Sequence, residues 1–234
     1  MRLYYDLHIH SALSPCGDMD MTPNNIVNMS IIKGLDVIAV TDHNTCGNVR
    51  AVMEAAGDNI LVIPGMEVET SEEVHVVCLF PDIESAEEME SLIKEKSNFI
   101  KNRPEIFGRQ CYMNAEDEVV GEEENLLVSA TGLDIYQVVE NVGKLGGVAI
   151  PAHIDRASYS VLSNLGFVPP DLNVSAVEIT SASREIMAEN YSEYFILTSS
   201  DAHYLGDISE KLYYLDISAK ISAENLCKII SKNL

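Results

Sequence analysis

Positive charge is scarce in this chain: 15 lysines and arginines stand against 37 acids, a net charge of -22. Gripping a nucleic-acid backbone takes lysine and arginine, so the balance argues against nucleic acid as the main partner. It leaves room for a small phosphorylated substrate, because bound divalent cations can reverse the local field inside an acidic protein. No apolar run reaches the roughly 18 residues of a membrane span. No basic-then-apolar leader precedes "MRLYYDLHIH", so no membrane partner and a cytoplasmic location are expected. The five cysteines, Cys16, Cys46, Cys78, Cys111 and Cys227, are odd in number and scattered, with no CxxC. That pattern fits reduced thiols better than a disulfide framework or a cysteine zinc site. GxGxxG, GxxxxGK[ST] and low-complexity linkers are also missing, which weakens nucleotide-fold and two-domain readings.

What is present is alternation. Short apolar runs ("LYYDLHI", "LDVIAVTDH", "NILVIPGMEVET", "EVHVVCLF", "VAIPAH", "SAVEIT", "YFILTSSDAH") are interleaved with helical patterns. Thr22 and Pro23 read as the cap and first position of one helix, ended by Gly34. Ser85, with Glu88 three residues on, reads as the cap of another. Residues 101–130 break the rhythm and read as a β-hairpin with an acidic outer face, either a surface insertion or a lid. Strand–helix alternation argues for parallel strands with helices outside. Over 234 residues the expectation is an α/β fold, a distorted (β/α)7 TIM-like barrel, as one domain spanning 1–234.

The histidines sort themselves along this pattern. Of the six, His8, His10, His43, His153 and His203 fall at the C-terminal ends of expected strands, where a β/α barrel builds its functional face. His75 lies near the start of its strand and fits less well. His8 and His10 are two apart in a strand and so project to one face. Asp201 stands two before His203, and in an extended stretch both face the same way. Glu67 follows Gly65, a residue that permits a sharp turn. Histidine with carboxylate and no thiolate suits catalytic zinc, manganese or iron. The number of such groups exceeds the need of one ion, so two or three divalent cations sharing a carboxylate are expected.

Taken in order, "DLHIHSALSPCGD", "VTDHNT", "PGMEVET", "VHVV", "PAHID" and "SSDAH" resemble the PHP family, named for polymerase and histidinol phosphatase domains. The resemblance implies a trinuclear metal centre in a distorted barrel of seven β/α units. It implies that His8, His10, Glu67 and Asp201 bind one ion, and that Glu67 bridges to a second held by His75 and His153. Asp18, His43 and His203 would hold the third. The loop "SALSPCGD" is longer than in many relatives, so either Asp18 or Cys16 completes that site.

The expected reaction is hydrolysis of a small phosphate ester by a metal-activated hydroxide, with the ions offsetting charge on the phosphoryl oxygens. Asp201 is expected to accept a hydrogen bond from the water, and His43 and His203 to flank the leaving oxygen. Arg156 and Arg184 follow strand ends and are candidates to hold phosphate through their planar forks of donors; each also reads as a surface ion pair. The alternatives are an amidohydrolase-type metal enzyme and a non-catalytic metal-dependent binding module.

Overall fold

A computed structural model describes residues 2–217 and 221–231. Its elements run β1 (Arg2–Ile9), α1 (Pro23–Ile32), β2 (Val37–Val40), α2 (Val49–Ala56), β3 (Leu61–Glu69) and β4 (His75–Leu79). Next come α3 (Ile83–Lys96), α4 (Pro104–Phe107), β5 (Cys111–Met113), β6 (Val119–Glu122), α5 (Ile135–Lys144) and β7 (Val148–Pro151). The chain closes with α6 (Val161–Leu165), β8 (Ala176–Glu178), α7 (Arg184–Met187), β9 (Phe195–Leu197), β10 (Tyr214–Asp216) and α8 (Ala223–Ser231). The stretch "SAENLCKIISK" reads as a closing helix, and its last residue, Lys232, lies outside the described residues. No helix among the described residues is long and apolar enough to cross a membrane.

The fold is α/β, but not a regular ring of β/α units. One sheet has the order β10-β1-β2-β3-β4-β7, and β8 pairs with β9 separately. β1, β2 and β3 are parallel, whereas β4 is antiparallel to both β3 and β7. The seams on either side of β8–β9 carry only a few bonds among the described residues: Ile154 N donates to the Glu178 carbonyl on one side, and on the other His10 N donates to the Ala202 carbonyl and Ala202 N to the His8 carbonyl. The sheet therefore curls without a continuous ladder around it. The expected (β/α)7 count fails because no helix separates β3 from β4, and only the four-residue α7 stands between β8 and β9.

Alternation along the strands explains how the sheet is buried on both faces, as parallel sheets are. Leu3, Tyr5, Leu7, Val37, Ala39, Ile63, Val77, Leu79, Val148, Ile150 and Ala176 join one apolar cluster, which Leu226, Cys227 and Ile230 of α8 close. Their neighbours Ile38, Val40, Val62, Met66, Val76, Cys78, Ala149 and Val177 face the helices on the other side. In β1 the phase changes: Leu7 belongs to the inner cluster and Ile9 to the outer one. The register with β2 slips between Asp6 and Ile9. Such bulges re-aim side chains, and here the slip turns His8 and His10 inward.

Two local expectations change. Thr22 caps α1, accepting a bond from Asn25 N, but α3 is capped by Asp82 and not by Ser85. Asp82 starts the helix three residues earlier because its carboxylate accepts from the Ser85 amide at 2.8 Å. Gly65 lies inside β3 and makes no turn; a Cβ there would come within 2.9 Å of the Thr41 methyl and 3.0 Å of the Cys78 carbonyl oxygen. It serves close approach between strands. Within 101–130, β5 and β6 form an antiparallel hairpin. It is tied to the loop after β1 by Cys111 N donating to the Ala12 carbonyl.

Candidate metal centre

Inner-face positions that carry apolar side chains low in the sheet carry imidazoles and carboxylates at its upper edge. Glu67 shares the face of Ile63 in β3, and Glu178 that of Ala176 in β8. His75 shares the face of Val77. It opens β4, yet β4 runs antiparallel, in the register Glu69↔His75. Its first residue therefore lies at the edge where β1, β2 and β3 end, which explains why His75 departs from the strand-end rule.

Glu67 is the hub. Its Oε1 lies 3.3 Å from His8 Nε2, 3.0 Å from His75 Nδ1 and 3.3 Å from His153 Nε2. Its Oε2 lies 3.1 Å from His43 Nδ1 and 3.5 Å from His10 Nε2. Asp201 Oδ1 is 3.2 Å from His8 Nε2 and 3.0 Å from His10 Nε2. Donor atoms converge in three overlapping groups: His8, His10, Glu67 and Asp201; His43, Glu67 and His75; and His10, His43 and His203. Each of these residues was expected as a ligand, though in part with different company. His43 stands beside Glu67 and His75, while His10 joins His43 and His203. His153 meets Glu67 and packs against the His8 and His75 rings.

The backbone reaches these positions by unusual routes. Asp201 has φ +52° and His153 φ +29°, in the left-handed region that L residues rarely occupy. Asp201 and His203 converge through this turn, not through the extended stretch the sequence suggested. Ala202 is pinned between the His8 carbonyl and His10 N.

Two expected residues lie elsewhere. Asp18 is partly exposed, and its carboxylate accepts from the Asp20 amide at 2.8 Å. It belongs to none of the three groups. The loop turns it outward and instead sets the Cys16 thiol against His43 and His203. Arg184 donates to Thr198 Oγ1 at 2.6 Å and lies over the Tyr213 ring, bracing β9 and facing away from the cluster. Arg156 is at the site, with Nη1 2.6 Å from Asp201 Oδ2 and its side chain 46% exposed. Beside Arg156, Asp201 and Glu178 opens a cavity of about 410 Å³, rimmed by Thr180, Ser181 and Ser200.

Sequence reasoning missed the groups that orient the ligands. Glu178 Oε1 lies 3.0 Å from His8 Nδ1 and accepts from His153 N at 3.2 Å. Buried Asp42 accepts from Ser14 Oγ at 2.7 Å, and Ser14 Oγ lies 2.9 Å from His10 Nδ1. Because the hydroxyl proton goes to Asp42, His10 Nδ1 must donate to Ser14. The signal for Glu178 was available: it ends "SAVE", a strand end like the others.

Charge explains why such a cluster suits cations. Burial opposes charge on His8, yet the carboxylates of Glu178, Asp201 and Glu67 raise its pKa well above 6.5. His43 is raised likewise by Glu67 and Cys16 against its burial. His75 and His203 are also raised. Glu67, despite burial, is held well below the usual carboxylate range by His75, His8 and His43. His10 moves the other way, down to about 3, through burial and the neighbouring His43. A neutral His10 that gives its Nδ1 proton to Ser14 turns an Nε2 lone pair toward Asp201 Oδ1. Two acceptors 3.0 Å apart call for a positive charge between them. His8 Nε2, His43 Nδ1 and Glu67 Oε1 are also buried without a hydrogen-bond partner. A histidine–carboxylate set with unpaired, converging donor atoms fits divalent metal ions.

Comparison with known proteins accords with this geometry. A family model described as "PHP domain" matches residues 6–233. The 5'-3' exoribonuclease Rnm of Salmonella typhimurium is 34% identical over 85 residues, 34% of this chain and 28% of the relative. The lesion-specific endonuclease PfuEndoQ from Pyrococcus furiosus superposes with a TM-score of 0.72 over 99% of this chain and 56% of that chain, at 19% identity. Endonuclease Q in complex with a 27-mer duplex substrate superposes with a TM-score of 0.69 over 88% of this chain and 50% of that chain, at 20% identity. The matched stretch is thus about a quarter of Rnm and about half of each endonuclease chain. These findings overturn the expectation that nucleic acid is an improbable partner, since Rnm is a 5'-3' exoribonuclease and endonuclease Q is seen with a duplex substrate. The argument from charge went wrong because net charge describes the whole surface, whereas the field at a site is set by the few groups and ions there.

Proposed function

On the premise that the chain belongs to the PHP family, we propose that it is a metal-dependent phosphoesterase acting on a phosphoester at the end of a short nucleic-acid strand. The observation that carries this reading is Glu67, a buried carboxylate met by five imidazoles within 3.5 Å. His8, His10, Glu67 and Asp201 would hold one ion. Glu67, His75 and His153 would hold a second, with His43 close by. His10, His43 and His203 lie around a third position. Ions there would lower the pKa of water and offset charge gathering on phosphoryl oxygens.

The chain's own groups have complementary work. Asp201, backed by Arg156, accepts a hydrogen bond from the attacking water and aims its lone pair. Arg156 is half exposed and still has free guanidinium donors for a phosphate oxygen. The cavity of about 410 Å³ is at the small end of the ligand-pocket range, which supports recognition of one or two nucleotides at a time.

The test is turnover with added manganese on a panel of mononucleotides, bis-phosphorylated nucleotides, and short 5'-phosphorylated RNA and DNA strands, beside Asp201→Asn. Phosphate release or stepwise shortening by the native protein, lost in the variant, is the expected result. Metal bound without turnover of any phosphoester would overturn the proposal.

A further inference from the structure

We propose that Tyr159 is a stacking platform for the base of the terminal nucleotide, a specificity-determining residue that makes the chain prefer a strand end with a base over one without. The inference rests on the strand-end reading above and names the part of that substrate the ring holds.

The loop between β7 and α6 meets the cluster at two places. Arg156 Nη1 lies 2.6 Å from Asp201 Oδ2. Three residues on, the Tyr159 ring lies on His75, with centroids 4.9 Å apart and planes 22° from parallel. That is an offset stack, an arrangement aromatic rings favour. His153, which opens the loop, packs its own ring against those of His8 and His75. One short loop thus carries a phosphate-binding candidate at Asp201 and an aromatic ring at His75.

The ring is held in place. Tyr159 has φ +54°, a state that L residues rarely adopt. Its carbonyl accepts from His75 N at 3.0 Å. Beside it, buried Ser160 donates from Oγ to the Arg156 carbonyl at 2.7 Å and accepts from Ser163 N at 3.1 Å, capping α6. Those bonds fix the backbone on both sides of the ring. Tyr159 is nevertheless 46% exposed. Stacking on His75 covers one face, so the exposure lies on the other face and the edge. A flat face fixed beside polar groups matches the π-face of a base.

The distance to the chemistry suits a nucleotide. His75 Nδ1 lies 3.0 Å from Glu67 Oε1, and His43, Glu67 and His75 form one of the three donor groups. One imidazole therefore separates the ring from a cation position. A terminal phosphate held there has its own sugar as linker, and the base on that sugar is the flat group that meets the ring. Stacking tolerates any sequence, since every base has a π-face. The ring therefore selects for the presence of a base and not for its identity.

The test is binding of short 5'-phosphorylated DNA strands, read by fluorescence anisotropy with calcium in place of manganese. The strands differ only in whether the 5' nucleotide carries a base or is abasic. Native protein is expected to bind the base-bearing strand more tightly. Tyr159→Ala is expected to weaken that strand about fivefold to hundredfold and to leave the abasic strand within about twofold. Tyr159→Phe, which keeps the ring, should bind both strands like the native protein. Equal weakening of both strands by Tyr159→Ala, with or without loss of metal, marks a ring that only shelters His75 and overturns the proposal. So does a preference for the base that survives in Tyr159→Ala. A preference that Tyr159→Ala abolishes, in a protein that hydrolyses neither strand with manganese, leaves the platform standing and overturns the phosphoesterase reading. Binding of neither strand by the native protein overturns both.

Discussion

Replacing Glu178 by glutamine tests whether the cluster is held from behind as well as from within. Glu178 is 4% exposed, and its carboxylate grips two site residues from different parts of the sheet, His8 through Nδ1 at 3.0 Å and His153 through its backbone N–H at 3.2 Å. Glutamine keeps the volume and one acceptor oxygen but removes the charge. A hydrogen bond to a charged group is worth about 1.5–3 kcal/mol and a neutral one about 0.5–1.5. The difference of about 1–1.5 kcal/mol corresponds to a fivefold to tenfold loss of metal affinity, the low end of the roughly 10–100-fold effect of partners behind metal-binding histidines. Protons compete with the metal, and Glu178 also raises the His8 pKa, so glutamine weakens that competition near neutral pH and masks part of the loss. The assay is therefore zinc titration against a competing chelator over a series of pH values rising from neutral, because His8 is raised well above 6.5 and proton competition at it fades only on the alkaline side. Glu178→Leu, which strips the acceptor from both groups, is expected to bind still more weakly. Native affinity within twofold for Glu178→Gln would refute the idea that Glu178 orients His8.

Three further outcomes are expected. In the metal-stripped protein, Glu67 and Asp201 have pKa values lowered from 4.5 and 3.8, so their contribution to stability is present above those values and is lost as pH falls. His8, His43, His75 and His203 are raised from 6.5, so theirs is complete below that value and lost as pH rises. The cluster's contribution to stability in denaturant melts should then peak between pH 4.5 and 6.5 and move to higher pH when zinc is added; a stripped protein whose Glu67→Gln difference is flat across pH would refute the linkage. Arg156→Ala removes a half-exposed contact worth about 1–1.5 kcal/mol, so steady-state kinetics should show KM raised about fivefold to tenfold with metal stoichiometry unchanged. Gly132→Ala places a Cβ 1.9 Å from the Lys96 carbonyl oxygen; the forced shift costs about 1–3 kcal/mol, read as a Tm lower by roughly 2–12 °C.

The parts of this protein legible in its sequence are those with a short-range physical signature. Thr22-Pro23 announces a helix start because capping is a local hydrogen bond. His8, His10, His43, His153 and His203 announced themselves because strand ends are visible as the points where apolar runs stop. Strand direction is not visible in that way, and so His75 looked like an exception until β4 proved antiparallel. Nor is loop geometry visible: in "SPCGD" nothing local says that Cys16 turns in and Asp18 out. Arg184 and Arg156 both follow strand ends, yet only the fold decides that one braces β9 and the other reaches Asp201. Partner chemistry was least legible of all, since the charge of the whole chain said little about a site of a few residues.

The residues of this cluster come from strand ends far apart in the chain, and the backbone at or beside several of them is held in costly conformations. Asn44, His153 and Asp201 have φ of +56°, +29° and +52°, each a state that costs of order 1–3 kcal/mol unless the surroundings impose it. The surroundings do so here. Asn44 N donates to the Glu67 carbonyl, Ala202 is pinned between β1 residues, and His153 N is bound by Glu178. The same bonds that impose the strain run from one strand to the next, so no ligand can relax without disturbing its neighbour. Such a site is shaped before the cation arrives, and the free energy of binding is spent little on arranging the protein. Loosening any of these bonds should therefore lower metal affinity more than it lowers the melting temperature of the stripped protein. That contrast separates a site preorganised by its fold from one assembled by its metal.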